Sequence, residues 1–181
     1  MFLAHQINAL VEFYDVTIIT NLKDNHSILD NISSKAFFIN LPIERNINLF
    51  ADLRALLKLI LIFYKNGFFL VHSVSPKAGL LTSIAAWIVR IPNRLHTFTG
   101  QVWMTKKGVN RHFLKLIDKI IIMLNTLILV DSFSQQNFLI SEGILSEGVS
   151  IVLGKGSISG VDINRFKPSI MHREIIRKEL N

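Results

Sequence analysis

The feature that most constrains the fold is a regular alternation of short apolar runs with longer stretches of helical periodicity. The runs are rich in β-branched and aromatic residues and are bounded by turn residues, which predicts strands. They cover Val16–Thr20, Ala36–Ile39, Phe68–His72, Arg94–Phe98, Leu127–Asp131 and Val149–Leu153. Strands that alternate with helices build parallel sheets. The sequence therefore predicts an α/β fold with a Rossmann-like, doubly wound parallel sheet.

The predicted helices have recognisable ends. Asn48 can cap a helix over Leu49–Lys65 that Gly67 ends, and Ser75 can cap the next helix, which begins near Pro76. The full set of predicted helices is Phe2–Phe13, Leu49–Lys65, Lys77 to about Arg90, Asn110–Met123, Ser132 to about Glu142 and Met171–Leu180. In doubly wound sheets the first strand is often central. Because this chain opens on a helix, we expect the first strand to be missing.

Composition excludes several classes of protein. Hydrophobic residues make up 50% of the chain and charged residues 18%, which excludes a disordered chain. The absence of Cys excludes a disulfide scaffold, a Cys-ligated zinc site and a thiol nucleophile. The longest apolar stretches, Ala55–Phe63 and Ile120–Val130, are shorter than the roughly 20 residues of a spanning helix. We therefore expect no transmembrane segment.

The net charge of +7 is concentrated in the middle of the chain, where eight basic residues between Lys77 and Lys119 face the single acid Asp118. A basic amphipathic helix next to an exposed Trp103 predicts binding to an anionic membrane surface. The residues expected on this face are Lys106, Lys107, Arg111 and Lys115. The alternative is an ordinary surface helix packed on the sheet. No nucleic-acid-binding signature is present, so we expect no nucleic-acid partner.

Two segments at predicted strand ends are candidates for binding or catalysis. Ser75 and Lys77 lie at a helix N-terminus, which suits an anionic ligand. A lysine there opposes the helix dipole, so no structural role favours Lys77. The alternative is a capped helix with a solvated lysine. His96 lies near the end of a strand and can bind a sugar hydroxyl or phosphate or transfer a proton. A structural histidine bonded to the backbone is its alternative. Thr99, Gly100 and Trp103 follow and can contact a sugar.

The segment Leu153–Asp162 contains closely spaced glycines but lacks the spacing of a phosphate-binding loop. A flexible connector is the better interpretation, with Gly156, Gly160 and Asp162 as its marker residues. The sequence also lacks H-E-x-x-H and G-x-S-x-G motifs. It therefore gives no support for metal catalysis or serine hydrolysis, and we expect no metal cofactor.

Four segments in order resemble the N-terminal domain of bacterial family 4 (group 1) glycosyltransferases, in the subgroup that builds capsule, O-antigen or related surface polysaccharides. They read V-H-S-V-S-P-K-A-G from Val71, R-L-H-T-F-T-G-Q-V-W from Arg94, L-V-D-S-F-S-Q-Q-N-F-L from Leu129, and G-K-G-S-I-S-G-V-D-I-N-R-F-K-P from Gly154. The resemblance extends from about Phe2 to Pro168.

The resemblance implies a GT-B architecture of two Rossmann-like domains, in which the N-terminal domain binds the acceptor and the C-terminal domain binds the nucleotide sugar. His96 matches the family's cleft histidine, expected near the donor sugar and its phosphates. The S-P-K-A-G segment matches the acceptor-side loop, and S-G-V-D matches the connector between the domains. We therefore predict an acceptor-side domain over residues 1–168 and the start of a connector over residues 169–181.

The family's reaction is retaining sugar transfer without a metal. We expect the parent enzyme to move a sugar, with UDP as the expected carrier, to a lipid-linked saccharide at the cytoplasmic face of the membrane, where it binds peripherally. The family's first strand and C-terminal domain are not found, so we expect a fragment that is inactive alone. The alternative function is a non-enzymatic subunit that recruits a separate catalytic part of a split glycosyltransferase to the membrane.

Overall fold

The computed structural model describes residues 3–22, 32–43, 48–158, 160 and 167–180, and all structural statements refer to these residues. The helices are α1 (Ala4–Leu10), α2 (Leu49–Asn66), α3 (Pro76–Val89), α4 (Gly108–Leu124), α5 (Phe133–Ser141) and α6 (Ile170–Glu179). The strands are β1 (Thr17–Thr20), β2 (Phe37–Asn40), β3 (Leu70–Ser73), β4 (Asn93–Phe98), β5 (Leu127–Val130) and β6 (Ser150–Val152). The predicted order of strands and helices is confirmed.

All of the strand pairs among the described residues are parallel, and they form two sheets. Strands β3-β4-β5-β6 form a four-stranded sheet in that order, and β1 pairs with β2 in a separate two-stranded sheet. Parallel strands need crossover helices, and α3, α4 and α5 supply the crossovers within the larger sheet. The α/β class and the parallel arrangement are therefore confirmed, with two sheets where the sequence suggested a single one.

Helix α3 packs on the larger sheet between α2 and α4 and contacts β3 and β4. Its packing against α2 encloses one hydrophobic core that includes Leu59, Phe63 and Ala85, and a second core around Trp103, Ile121 and Leu139 lies under α4 and α5. This packing positions the helix N-termini at the edge where the parallel strands end.

Local chemistry sets the ends of α2 as predicted. The Asn48 side chain accepts a hydrogen bond from the backbone N–H of Ala51, and Gly67 adopts the left-handed conformation with φ of 59°. A residue with a Cβ is strained in that conformation, which is why glycine ends the helix. The capping prediction is confirmed for α2.

Other local predictions need correction. Ser75 occupies the N-cap position of α3, but its side chain makes no capping hydrogen bond. The sequence S-F-S-Q from Ser132 to Gln135 predicts a capping box, in which each side chain bonds the backbone N–H of the other. The Ser132 hydroxyl does accept from the Gln135 N–H, whereas the Gln135 side chain accepts from the Asp131 N–H, so the box is half formed. The segment Thr99–Lys107, which the sequence predicts as a loop between β4 and α4, contains a short 3₁₀ helix, Val102–Thr105.

The C-terminal helix α6 begins after Ser169, which caps it, and buries none of its residues. Nothing in the described residues tests the predicted domain limits, which stay a prediction. Phe2 and most of Lys23–Ser34 lie outside the described residues. No helix in the described part of the chain has the length and apolar character needed to cross a bilayer.

Candidate functional site

The candidate site lies at the carboxyl edge of the four-stranded sheet, where β3 ends at Ser73, β4 at Phe98, β5 at Val130 and β6 at Val152. In open parallel sheets ligands bind at this edge, in the crevice between the loops that leave the strands. The sequence singled out Ser73–Gly79, Arg94–Trp103 and Leu153–Asp162. Within the described residues, Ser73–Gly79, Thr99–Trp103 and Leu153–Ile158 leave β3, β4 and β6 at this edge.

His96 lies inside the fold beneath α3 and is only 1% exposed. Its Nδ1 is 2.8 Å from the hydroxyl oxygen of Ser73, its partner across the strand pair. The ring packs edge to face on Phe98 with centroids 4.6 Å apart. It also fills the space beside Gly79, where an added Cβ would lie 2.5 Å from the His96 Cε1. Gly79 therefore allows helix and ring to approach this closely.

Burial decides the charge of His96. Loss of solvent, together with the nearby His72, lowers the pKa of His96 to about 4, so the ring is neutral near pH 7. The neutral, enclosed imidazole shares one hydrogen bond with the Ser73 hydroxyl, and in this arrangement it does not reach a ligand. The catalytic role implied for His96 stays a prediction, and it requires a movement of α3 that exposes the ring.

His72 is a polar residue at this edge that sequence reasoning missed. Its Nε2 is 2.7 Å from the hydroxyl oxygen of Thr97, and burial lowers the pKa of His72. Because side chains alternate along a strand, this pair lies on the sheet face opposite to His96. Gln6 of α1 lines a small cavity on that face together with Thr97 and Asp131. The sequence did offer a signal, because His72 immediately precedes Ser73 and Thr97 immediately follows His96 in the two predicted strands.

Lys77 has a structural partner in the neighbouring helix. Its Nζ lies 2.6 Å from Asp52 Oδ1, and both side chains are partly buried. Asp52 stands in the first turn of α2 and Lys77 in the first turn of α3, so the pair joins the two helix N-termini. The argument that no structural role favours Lys77 is therefore wrong. Ser75, two residues earlier, is exposed.

Thr99, Gly100 and Gln101 form the loop that leaves β4. Thr99 and Gly100 are exposed at the carboxyl edge, and an added Cβ at Gly100 would meet nothing within 4 Å. The side-chain nitrogen of Gln101 is buried, and among the described residues it has no hydrogen-bond partner. A buried amide donor without an acceptor is unfavourable by about 1–3 kcal/mol. This loop therefore combines accessible surface with an unused donor, a signal that sequence reasoning missed.

Trp103 is a core residue, and the expectation of an exposed indole is wrong. The side chain is 1% exposed, and its Nε1 donates to Asp118 Oδ2 over 2.7 Å. The ring stacks on Phe138 with centroids 5.5 Å apart. Burial raises the pKa of Asp118 to about 6, against the lowering effect of this hydrogen bond. The 3₁₀ helix is what turns Trp103 inward from the loop.

Arg111 and Lys115 cover the indole and share one carboxylate. The Arg111 guanidinium and the Lys115 ammonium lie 5.1 and 4.9 Å from the Trp103 ring centre. Both bind Glu142 Oε2, at 2.7 and 2.5 Å. These hydrogen bonds hold the pKa of Glu142 below its usual range. The two cations therefore link α4 to the end of α5, whereas Lys106 and Lys107 are exposed.

The glycine-rich segment after β6 is held to the end of β5 by Asp131. The Asp131 carbonyl accepts from the Ser157 N–H at 2.7 Å, and its carboxylate accepts from the Ile158 N–H at 2.5 Å. A Cβ on Gly156, which has φ of 99°, would lie 2.8 Å from the Asp131 carbonyl oxygen. Gly160 is exposed with φ of 61°, and Asp162 lies outside the described residues.

Within the described residues, no group of three or more His, Asp or Glu side chains is placed to hold a metal ion. The site is thus defined by a loop with an unused donor, an exposed serine at a helix N-terminus, the buried His96 and the partly buried His72 on the opposite face of the sheet.

The fold and this edge define an α/β protein with a Rossmann-like parallel sheet. No protein-family model matches the sequence. The chain is 39% identical over 127 residues to the capsular polysaccharide biosynthesis glycosyltransferase CapM of Staphylococcus aureus. The aligned region covers 70% of this chain and 33% of that protein. The chain is also 32% identical over 110 residues to the UDP-Gal:alpha-D-GlcNAc-diphosphoundecaprenol alpha-1,3-galactosyltransferase of Escherichia coli, covering 60% and 27%.

Both relatives are glycosyltransferases, which supports the glycosyltransferase family that the four motifs indicate. The chain spans about a third of the length of these curated relatives.

Proposed function

We propose that this chain is the acceptor-binding half of a GT-B, family 4 glycosyltransferase that builds a bacterial surface polysaccharide. The observation that carries the proposal is the 39% identity to a capsule glycosyltransferase over 127 residues. The parallel sheet with its ligand edge and the four ordered motifs support it. Because the chain spans a third of that relative, we propose that residues beyond the matched part supply the donor site.

The proposed reaction transfers a sugar from a UDP-linked donor to a lipid-linked saccharide with retention and without a metal cofactor. The Escherichia coli relative carries a nucleotide-sugar donor and a lipid diphosphate acceptor in its name, which supports both substrate classes. In the reaction the bond between the anomeric carbon and the diphosphate breaks. The acceptor hydroxyl oxygen forms the new bond, and its proton is released. Cations of the donor half would stabilise the leaving diphosphate.

The acceptor saccharide, in this proposal, lies against the loop Thr99–Gln101. The Thr99 hydroxyl and the Gly100 backbone are exposed there, and the buried amide nitrogen of Gln101 gains an acceptor when a sugar hydroxyl binds. Ser75 lies at the exposed N-terminus of α3 as a further donor. His96 acts as a positioning residue, because its contacts with Ser73 and Gly79 fix α3 against β3 and β4.

Within the same proposal the enzyme works peripherally at the cytoplasmic face of the membrane, where a lipid-linked acceptor is held. The second candidate function, a membrane-recruiting subunit of a split glycosyltransferase, differs in having no acceptor site of its own. Acceptor binding therefore separates the two.

Binding of a solubilised lipid-linked saccharide by the purified chain tests the proposal. We expect saturable binding that Thr99→Ala and Gln101→Ala each weaken by roughly tenfold, since each removes one hydrogen bond to the sugar. Thr105→Ala, at an exposed position of the following 3₁₀ helix, is the matched control and should leave binding unchanged. Because Gln101 has an unused donor, its replacement should not lower the melting temperature.

Transfer is measured in parallel with UDP-sugars and the same acceptor. We expect none from the 181-residue chain alone and transfer when the donor-binding part is present. Robust turnover by the chain alone would contradict the acceptor-half proposal. Absence of acceptor binding, with transfer restored by a separate donor-binding polypeptide, would favour the recruiting subunit.

A further inference from the structure

The indole of Trp103 joins three elements directly after the loop Thr99–Gln101, which we call the acceptor loop. Trp103 belongs to the 3₁₀ helix, its Nε1 donates to Asp118 Oδ2 of α4 over 2.7 Å, and its ring stacks on Phe138 of α5. A buried tryptophan contributes a large apolar contact area, and its N–H needs a hydrogen-bond partner. The ring therefore fixes the 3₁₀ helix against α4 and α5.

Two cations of α4 complete the enclosure of the ring. Arg111 and Lys115 lie 5.1 and 4.9 Å from the centre of the Trp103 ring, where a cation is attracted to the aromatic face. Both also bind Glu142, which follows α5. The indole thus cannot leave its position without losing contacts to α4 and to α5.

The backbone ties the acceptor loop to this anchored ring. Gln101 is the N-cap residue of the 3₁₀ helix, and only Val102 separates it from Trp103. The Met104 N–H donates to the Gln101 carbonyl over 3.2 Å, and the Lys106 N–H donates to the Trp103 carbonyl over 3.0 Å. The position of Gln101 therefore follows the position of the indole.

The Gln101 side chain is held in an arrangement that is locally unfavourable. Its Nε2 is buried and has no hydrogen-bond partner among the described residues, although Thr99 and Gly100 beside it are exposed. An unanchored loop would turn this amide to water, because a buried donor without a partner is costly. Burial of the indole and its hydrogen bond to Asp118 offset that cost. Local arrangements that only the surroundings maintain are typical of binding sites.

We propose that Trp103 and Asp118 are positioning residues, which hold the Gln101 amide donor where a hydroxyl oxygen of the acceptor saccharide binds. Neither side chain touches the saccharide, and both act through Gln101. The anchor sets the acceptor loop before the saccharide arrives, so that binding does not have to order the loop. This inference deepens the proposed function and rests on its acceptor site.

Substitutions of Asp118 separate positioning from the mere presence of the side chain. Asp118→Ala removes the partner of the indole N–H, whereas Asp118→Asn keeps an oxygen that can accept from it. We expect Asp118→Ala to weaken binding of a solubilised lipid-linked saccharide by roughly tenfold, and Asp118→Asn to stay within about twofold of the unaltered chain. Trp103→Phe keeps an aromatic ring without the N–H, and its affinity should fall as that of Asp118→Ala does.

A double substitution shows whether the effect passes through Gln101. In a Gln101→Ala background, Asp118→Ala should weaken saccharide binding by less than about twofold more, because the donor that it positions is already gone. Independent losses that multiply to roughly a hundredfold would overturn the positioning role.

The control for lost stability lies in the other hydrophobic core. Leu59 of α2 is 2% exposed and packs in the cluster that does not contain Trp103. Leu59→Val should lower the melting temperature and leave saccharide binding unchanged, measured where circular dichroism shows every variant folded. An equal loss of affinity in Leu59→Val and Asp118→Ala would show that stability alone explains the effect, and the inference would be wrong.

The anchor is also measured without any ligand. Trp87 and Trp103 are the two tryptophans of the chain, so Trp87→Phe leaves Trp103 as the single fluorophore. We expect its emission to be poorly quenched by acrylamide, and to become accessible to the quencher after Asp118→Ala but not after Asp118→Asn. Hydrogen exchange at the Met104 and Lys106 amides should quicken in the same variant, because both report on the 3₁₀ helix.

The outcomes separate this inference from the proposed function. Saccharide affinity that Asp118→Ala leaves unchanged would overturn the inference alone, whether or not quenching and exchange respond, since the anchor would then serve only the fold. Quenching and exchange that respond to Asp118→Ala, with no saccharide binding by the unaltered chain, would refute the proposed function while confirming that Trp103 and Asp118 fix Gln101.

Discussion

Gly79 and His96 set the distance between α3 and the larger sheet. Gly79→Ala would place its Cβ 2.5 Å from the His96 ring, so ring and helix must separate. We expect the free energy of unfolding to fall by about 1–3 kcal/mol. In a His96→Ala background the same change should cost little, and urea unfolding of the four proteins measures this coupling. Gly100→Ala is the control, and an equal loss in both backgrounds would contradict the packing argument.

Asp118 and the histidines respond to acid in opposite directions. The folded pKa of Asp118, about 6, is above its ordinary value of 3.8, so this group adds stability as the pH falls through 6 towards 4. The folded pKa of His96, about 4, is below 6.5, so stability is lost over that range as the unfolded chain binds the proton first. Burial also lowers the pKa of His72, so acid destabilises the fold through His72 in the same direction as through His96.

Asp118→Asn separates these contributions. The amide oxygen can still accept from Trp103, and the buried charge is removed, so we expect stability at pH 7 to rise by about 1–3 kcal/mol. Below pH 6 the loss of stability should become steeper than in the unaltered chain. Denaturant unfolding at pH 7, 5.5 and 4.5 measures both effects, with exposed Asp15→Asn as control. An acid loss as steep as that of the unaltered chain would show that Asp118 stays ionised over this range, and a shallower one would show that its folded pKa is not raised.

The site was predictable as a set of segments but not as a set of contacts. Parallel strands bring Ser73, His96 and Thr99 to one edge because sheet geometry requires it. The Lys77–Asp52 pair spans two helices, and the burial of Trp103 depends on Phe138 and Asp118, which are 35 and 15 residues away. Such long-range partners have no local signature, so the sequence alone predicts that the side chains of Lys77 and Trp103 are accessible.

At the scale of elements, Glu142 joins α4 to α5 by binding Arg111 and Lys115. Glu142→Gln removes the shared charge and leaves two cations beside the Trp103 ring. We expect a lower melting temperature, with the difference from the unaltered chain shrinking as salt is added. Thermal unfolding at low and high salt measures this, with exposed Glu147→Gln as control. A melting temperature equal to that of the control would show that the link does not stabilise the fold.

Element boundaries followed the strength of their local signals. Asn48 and Gly67 mark the ends of α2 because capping acts within one turn. Strand ends shifted by one or two residues, as in β3, which runs from Leu70 rather than Phe68. Burial of side chains, rather than propensity, decides where pairing begins and ends.

For the whole molecule, the two sheets should differ in local stability. Strands β1 and β2 pair only with each other among the described residues, and the small cluster of Ala4, Val11, Ile32 and Ala36 covers them. An isolated strand pair is marginally stable. We expect amide hydrogens of β1 and β2 to exchange before those of β4 and β5, measured by mass spectrometry. Equal protection of both sheets would show that they unfold as one unit.

The excess of cations in the middle of the chain also acts before any contact is made. Between Asn48 and Val130 the sequence holds 11 Lys and Arg residues but only two acids. Their field reaches about one Debye length, roughly 8 Å at physiological salt, so it draws an anionic partner towards this part of the chain, and the attraction weakens as ionic strength rises.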